Sequence, residues 1–275
     1  MSRSFMNADL HVHTNYSFCA PQTTVPESYL PLCGEENIEI LGFSNHIYYQ
    51  DRLGWRNIDA ASGGEYASRL RKDLERLKNE TDVTLLLGAE VEVVSGMPPS
   101  LTVEESEKFD YVLLAPSHVM NLRDYFDRAG VDLSTKEMIA AVTIERHKFA
   151  CGLEYPVPMG ICHPLYPICT GEWEQDIVDG FSDNLLGEMF TLAKNGNKSI
   201  EIHVDLIRNG TKKDSDGLSP SYLRYLSIAK ECGCRFHFGG DAHVPGSFSG
   251  VHHYLRLAAK KTGIGEDDLW TFPIK

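Results

Sequence analysis

The chain has 275 residues, 42% of them apolar and 24% charged, with a formal net charge of −13. These proportions exclude a disordered or fibrous chain and allow a large core without disulfide staples. The acidic balance argues against a protein held on duplex nucleic acid by a basic face.

In chain order, short apolar runs alternate with helical stretches, which predicts an α/β fold with a mainly parallel sheet. The first strand is expected at Ala8–His13, after a short polar start without a secretory signal. Pro26 opens a short helix that Pro31 is expected to disturb. A strand at Glu39–Ser44 precedes a helix over Gly64–Asn79, which lines up Ala67, Leu70, Leu74 and Leu77 on one stripe. Strands at Thr84–Val93 and Tyr111–Ala115, a helix at Lys136–Phe149 and a strand at Met159–Cys162 follow. The helix Asp183–Asn195 stops at Gly196, and a strand runs over Ser199–Val204. Ser219 caps a helix that has Pro220 at its first position and turns Leu223 and Leu226 inward. The seventh strand is Arg235–Gly239. Seven strands and this length suit one barrel domain over residues 1–275. The apolar tail Leu269-Trp270-Thr271-Phe272 is expected to cover either the barrel or a partner chain, and the oligomeric state stays open.

No apolar run approaches the roughly 18 residues that span a membrane. Seven cysteines cannot all pair within the chain. Free thiols and a cytoplasmic, reducing location are therefore expected. Cys232 and Cys234 lack the two-residue spacing of a redox or zinc pair and read as core residues.

The eleven histidines carry the functional signal. His11 and His13 end the first expected strand, and His46 follows the second. Glu90 lies in the third, and His118 and His163 follow the fourth and fifth. Glu201 and His203 lie on the sixth, and Asp241 and His243 follow the seventh. Each strand thus brings a metal-type ligand to its C-terminal end, and in parallel α/β folds those ends share one face. The period of two turns His11 and His13 the same way, so one ion can take both. Asp241 and His243 repeat that spacing. Imidazoles with carboxylates suit zinc, manganese or iron. There are too many ligands for one ion, and two or three ions sharing Glu90 as a bridge would use them. Glu92 is either a ligand or a supporting group. His147, His237, His252 and His253 read as ordinary core or surface histidines.

At these residues the chain resembles the PHP (polymerase and histidinol phosphatase) family. The matching motifs are Asp9-Leu10-His11-Val12-His13-Thr14, Asn45-His46, Gly88-Ala89-Glu90, Ser117-His118, Cys162-His163-Pro164 and Gly240-Asp241-Ala242-His243. They occur in the family's order and span nearly the whole chain. The resemblance implies a distorted, TIM-like (β/α)7 barrel with its metal site at the C-terminal strand ends. It further implies the ligands His11, His13, His46, Glu90, His118, His163, Asp241 and His243. Cys19 stands where related proteins usually have Asp or His. It is either a thiolate ligand of zinc in a three-metal site or a neighbour of a two-metal site.

The resemblance implies a phosphoric monoester hydrolase that uses a metal-activated hydroxide on a small phosphorylated metabolite, L-histidinol phosphate first. Asp241, His243 and Arg208 are the catalytic candidates, with Arg208 suited to a phosphate. His203 replaces an asparagine usual in histidinol phosphatases, so it joins Arg208 as a substrate-contacting candidate. Tyr48, Arg52 and Arg56, in an aromatic and basic loop after His46, complete that set as an expected lid. Arg123 and Arg128 are weaker phosphate candidates. The rivals are a nucleotide or sugar phosphatase, a PHP-type nuclease, an amidohydrolase-type barrel and a metal-binding module without turnover. The charge balance opposes the nuclease, and the lack of a lysine at a strand end opposes the amidohydrolase.

Overall fold

The computed structural model describes residues 4–48, 63–119, 126–127, 130–168, 170–208 and 212–274. The strands are β1 (Ala8–Val12), β2 (Ile40–Phe43), the two-residue β3 (His46–Ile47), β4 (Thr84–Glu92), β5 (Tyr111–Ala115), β6 (Met159–Ile161), β7 (Lys198–His203) and β8 (Arg235–Gly239). They pair in parallel in the order β1-β2-β4-β5-β6-β7-β8, with β3 added to the end of β4. Just beyond β8, Ala242 bridges back to Val12, and the His13 N–H donates to the Ala242 carbonyl at 2.9 Å. The result is a nearly closed TIM-like barrel of seven parallel strands, as expected from the sequence.

The helices are α1 (Leu30–Glu36), α2 (Gly63–Leu77), α3 (Val103–Ser106), α4 (Lys136–Gly152), α5 (Trp173–Gly180), α6 (Asp183–Asn195), α7 (Val204–Arg208), α8 (Pro220–Glu231), α9 (Pro245–Phe248) and α10 (His252–Lys261). Pro31 does not disturb its helix. It sits in the first turn of α1, where its missing N–H had no partner to lose. Ser219 caps α8, but the stripe it turns inward is Tyr222, Tyr225, Leu226 and Ala229, with Leu223 only half-buried. No described helix is long and apolar enough to cross a membrane.

Two outer layers of core lie between strands and helices. Ala67, Leu70, Leu74 and Leu77 of α2 pack on Leu41, Phe43 and Leu85. Residues of α6, α8 and α10 pack on Ile200, Ile202 and Phe236. Inside the barrel, Tyr111 crosses the lumen and donates its hydroxyl proton to the Leu10 carbonyl at 2.6 Å. Gly42 and Gly88 make room for it. A Cβ on Gly42 would lie 2.0 Å from the Tyr111 hydroxyl oxygen, and one on Gly88 would lie 2.3 Å from Cζ. The tail packs on the barrel: Trp270 and Phe272 are buried with Ala8, Leu10, Ile40, Leu86 and Tyr111.

One irregularity positions the site. Asp9 pairs with Leu41, yet Val12 pairs with Phe43, so β1 spends three residues where β2 spends two. This bulge resets the alternation of β1. Leu10 stays with the lumen residues, Val12 joins the outer layer, and His11 and His13 reach the centre with Glu90. Bulges beside active sites commonly re-aim side chains in this way.

Candidate metal centre

Glu90, near the end of β4, is the hub. It is 1% exposed, and its two oxygens face two different sets of imidazoles. Oε2 lies 2.6 Å from His46 Nδ1, 3.4 Å from His11 Nε2 and 3.6 Å from His13 Nε2. Oε1 lies 3.7 Å from His118 Nε2 and 3.8 Å from His163 Nε2. Asp241 approaches the same rings from the β8 side. Its Oδ1 is 2.7 Å from His13 Nε2 and 3.5 Å from His11 Nε2, and its Oδ2 is 3.6 Å from His163 Nε2. His163 and Asp241 both hold left-handed backbone, with φ of 42° and 47°. Such conformations cost energy in non-glycine residues and concentrate at functional sites.

Behind the hub, an acceptor holds the far nitrogen of most rings. His11 Nδ1–H donates to Glu201 Oε1 at 2.7 Å, and His118 Nδ1–H donates to Glu92 Oε2 at 2.9 Å. His163 Nδ1 meets the Ser117 hydroxyl at 2.8 Å, and His13 Nδ1 meets that of Ser17 at 3.2 Å. The His243 Nδ1–H donates to the Asp241 carbonyl at 2.9 Å. An acceptor at Nδ1 leaves Nε2 with its lone pair aimed inward, the arrangement that metal-binding histidines use. His11 Nε2 and His163 Nε2 are buried without a hydrogen bond, and Glu90 Oε2 has none of good geometry despite the nearby His46 ring. Buried polar atoms are rarely left so, and several sharing one centre fit a cation.

Ligand atoms within 4.8 Å of one another form overlapping groups: His11, His13 and Glu90; His46, Glu90 and His118; Glu90, Cys162 and His163; and His13, Cys19, His46 and His243. Cys19 is therefore at the cluster, on the rim, where His243 is 34% exposed. A further group joins His11, His163, Glu201 and His203. His203 accepts from the Asp205 N–H through Nδ1 at 3.2 Å, which leaves a proton on Nε2, 3.4 Å from Asp241 Oδ2. Its ring is thus set to donate towards Asp241.

Charge in the cluster is self-compensating. Burial opposes a charge on Glu90, but His46 and His11 outweigh it and hold the carboxyl well below its usual range. Asp241 behaves alike: burial opposes its charge, and His11 and His13 prevail. Burial also opposes a charge on His11, which Glu201, Asp241 and Glu90 nevertheless raise well above the ordinary histidine value. Burial drives His13 down to about 3, helped by its neighbour His46. Burial, then Glu90 and Asp241, pushes the Cys19 thiol up to about 12. A thiolate there needs a cation beside it.

The substrate candidates fare differently. Tyr48 is buried and stacks on His46, with centroids 4.7 Å apart, so it forms wall rather than lid. Phe18, 54% exposed, lies 5.1 Å from Tyr48 at the mouth. Arg208, at the end of α7, is exposed, with its guanidinium 4.9 Å from the Tyr254 ring centroid. Arg52, Arg56, Arg123 and Arg128 lie outside the described residues. Glu201 does more than the sequence reading gave it. Besides holding His11, its Oε2 accepts from the His163 N–H at 2.8 Å. The Glu201-x-His203 spacing, the same as His11-x-His13, was the available signal. Cys162, whose Sγ is 3.6 Å from Glu90 Oε1, had none beyond its place before His163.

No family model matches the chain, and comparison with curated proteins returns no match. Solved structures are similar. A histidinol phosphate phosphatase from Lactococcus lactis subsp. lactis Il1403, complexed with zinc, L-histidinol and phosphate, superposes with a TM-score of 0.63 at 16% identity, over 94% of this chain and 95% of that one. A candidate histidinol phosphatase from Listeria monocytogenes superposes with a TM-score of 0.60 at 15% identity, over 87% of this chain and 96% of that one. At such identities the likeness establishes a shared barrel fold.

Proposed function

We propose that residues 1–275 form a single PHP-type domain, a metal-dependent phosphomonoesterase acting in the cytoplasm on a small phosphorylated metabolite. One observation carries this reading: a buried carboxylate, Glu90, presents separate oxygens to two sets of imidazoles, and one ring on each side, His11 and His163, has its inward Nε2 buried without a hydrogen bond. The donor set would hold two or three divalent ions, zinc, manganese or iron. His11, His13, Glu90 and Asp241 would hold one; Glu90, His118 and His163 a second; Cys19, His46 and His243 a third. Bound there, the ions supply Lewis acidity and an activated water, the needs of phosphate ester hydrolysis.

The chain's own groups do the rest. Asp241 and His243 stand at the open side, with side-chain exposures of 17% and 34%, and are placed to contact the phosphoryl group. His203 Nε2–H faces Asp241 and can hold a substrate oxygen or pass a proton to it. Arg208 offers a guanidinium at the surface, over the Tyr254 ring, as the candidate cation for the phosphate.

L-Histidinol phosphate is the leading substrate. The zinc-, histidinol- and phosphate-bound Lactococcus structure shares this fold, and the Glu201 to Arg208 stretch resembles histidinol phosphatases. The test is phosphate release from L-histidinol phosphate beside AMP and an aryl phosphate, with zinc- or manganese-loaded protein. Strong preference for histidinol phosphate supports the assignment. Turnover of the other esters alone keeps the chemistry and moves the substrate to a nucleotide or sugar phosphate. No hydrolysis of any ester by metal-loaded protein overturns the proposal.

A further inference from the structure

Arg146 lies in the middle of α4. It is 1% exposed and is one of the largest fully buried side chains in the protein. An arginine is rarely buried so deeply without a task, because its charge must be compensated in full. Its Nε–H donates to the Val93 carbonyl at 2.8 Å, and Nη2 donates to the Ala115 carbonyl at 3.1 Å. Those carbonyls sit where β4 and β5 end, beside the loops that carry the centre's ligands. Nη2 also donates to Glu92 Oε1.

Glu92 spends its other oxygen on His118. Oε2 accepts the Nδ1–H at 2.9 Å, and His118 Nε2 then faces Glu90 Oε1 at 3.7 Å. The order of contacts is Arg146, Glu92, His118, Glu90. We infer that Arg146 is a positioning residue for this centre: through Glu92 it locks the tautomer and direction of His118, and so sets the affinity of the ion held on the His118 side of Glu90. This rests on the metal-centre reading proposed above.

The chemistry is specific to these side chains. Glu92 must accept twice, once from Arg146 and once from His118. A glutamine has one accepting oxygen and one donating nitrogen, so it satisfies one neighbour and opposes the other. Arg146 must reach two carbonyls and a carboxylate from one planar fork, which a lysine cannot match. The bare removal of Arg146 leaves Glu92 buried without a counter-charge, and that carboxylate then no longer serves His118 as a fixed acceptor.

The experiment measures metal rather than turnover. Wild type, Arg146→Met, Arg146→Lys, Glu92→Gln and His118→Ala are titrated with zinc against a chromophoric chelator, and with cobalt followed by its absorption. One ion is expected to bind about 10- to 100-fold more weakly in Arg146→Met and Glu92→Gln, the usual cost of losing such a supporting partner. The remaining ions are expected to keep wild-type affinity, and Arg146→Lys to recover part of the loss. In His118→Ala, adding Arg146→Met is expected to change nothing further, since both act on one ion. Glu92→Gln keeps the side chain's shape and tests the same link if Arg146→Met fails to fold. Wild-type affinity for every ion in Glu92→Gln overturns the inference, and so does an equal loss of all ions. A wild type that binds metal this way but hydrolyses no ester overturns the proposed function and leaves this inference standing.

Discussion

The two ends of the barrel lumen are built on opposite principles. At the N-terminal end, Trp270, Phe272 and Tyr111 close the barrel with rings 4.8 to 6.1 Å apart, and the Tyr111 hydroxyl is satisfied by Leu10 and Ser44. At the C-terminal end the lumen is filled with imidazoles and carboxylates, some of whose buried atoms have no partner. One end is finished by packing, and the other gathers donor atoms that a cation could satisfy. The strained φ values of His163 and Asp241 fall at the second end. A fold tolerates such strain and desolvation where ligands return the energy on binding.

The sharpest way to break this contrast is to strike the polar end. His11→Ala is expected to lower phosphate release by about 10³-fold, comparable to deleting one preorganised group at a reacting centre. The metal-free variant should melt within a few degrees of metal-free wild type. Full activity in His11→Ala would remove the polar end from the chemistry. The converse strike is Trp270→Ala, which is expected to cost about 3 kcal/mol of stability in denaturant titrations and to leave kcat unchanged. A large fall in kcat at unchanged stability would show that the two ends are not separate.

Acid sensitivity sharpens the comparison, because one buried histidine lies outside both ends. Burial lowers His147 of α4 to about 4. Its unfolded value is about 6.5. Between those values the unfolded chain binds a proton that the folded chain refuses, so stability present above pH 6.5 is lost as pH falls towards 4. The shift amounts to about 3 kcal/mol across that window. Metal-free His147→Met should lose about 2 kcal/mol of the acid dependence between pH 7 and pH 5 in denaturant titrations, the part of that window they sample. An unchanged slope would place the acid sensitivity at the metal end alone. The smallest effect is expected on the rim. Cys19→Asp should weaken zinc relative to manganese about tenfold at one ion, because a carboxylate is the harder ligand. An unchanged zinc-to-manganese ratio would make Cys19 a bystander.

Most of this contrast was legible in the sequence. The strands were readable because seven apolar runs end in turn residues, and the clustering of imidazoles and carboxylates because His11-x-His13 and Asp241-x-His243 follow the period of a strand. What escaped depends on contacts between distant segments. The β1 bulge is visible only in the pairing of β1 with β2. His252 looked ordinary, yet its Nε2 contacts Asp9 Oδ2 at 2.8 Å. The other Asp9 oxygen accepts from the N–H groups of His11 and Gly240, both at 3.0 Å, and so ties β1 to β8 beside the cluster. Nothing local to Arg146 shows that α4 carries it to Glu92. Pro31 was misread because a proline that breaks a helix interior and one that starts a helix look alike until the first turn is located.

The most direct measurement of the central claim is anomalous X-ray scattering at the zinc edge from crystals of zinc-loaded protein. Two peaks are expected flanking Glu90, one with each carboxylate oxygen, with His11 and His13 on one side and His118 and His163 on the other. A single peak touching one oxygen of Glu90, or peaks only elsewhere on the molecule, would contradict the bridged centre and the function built on it.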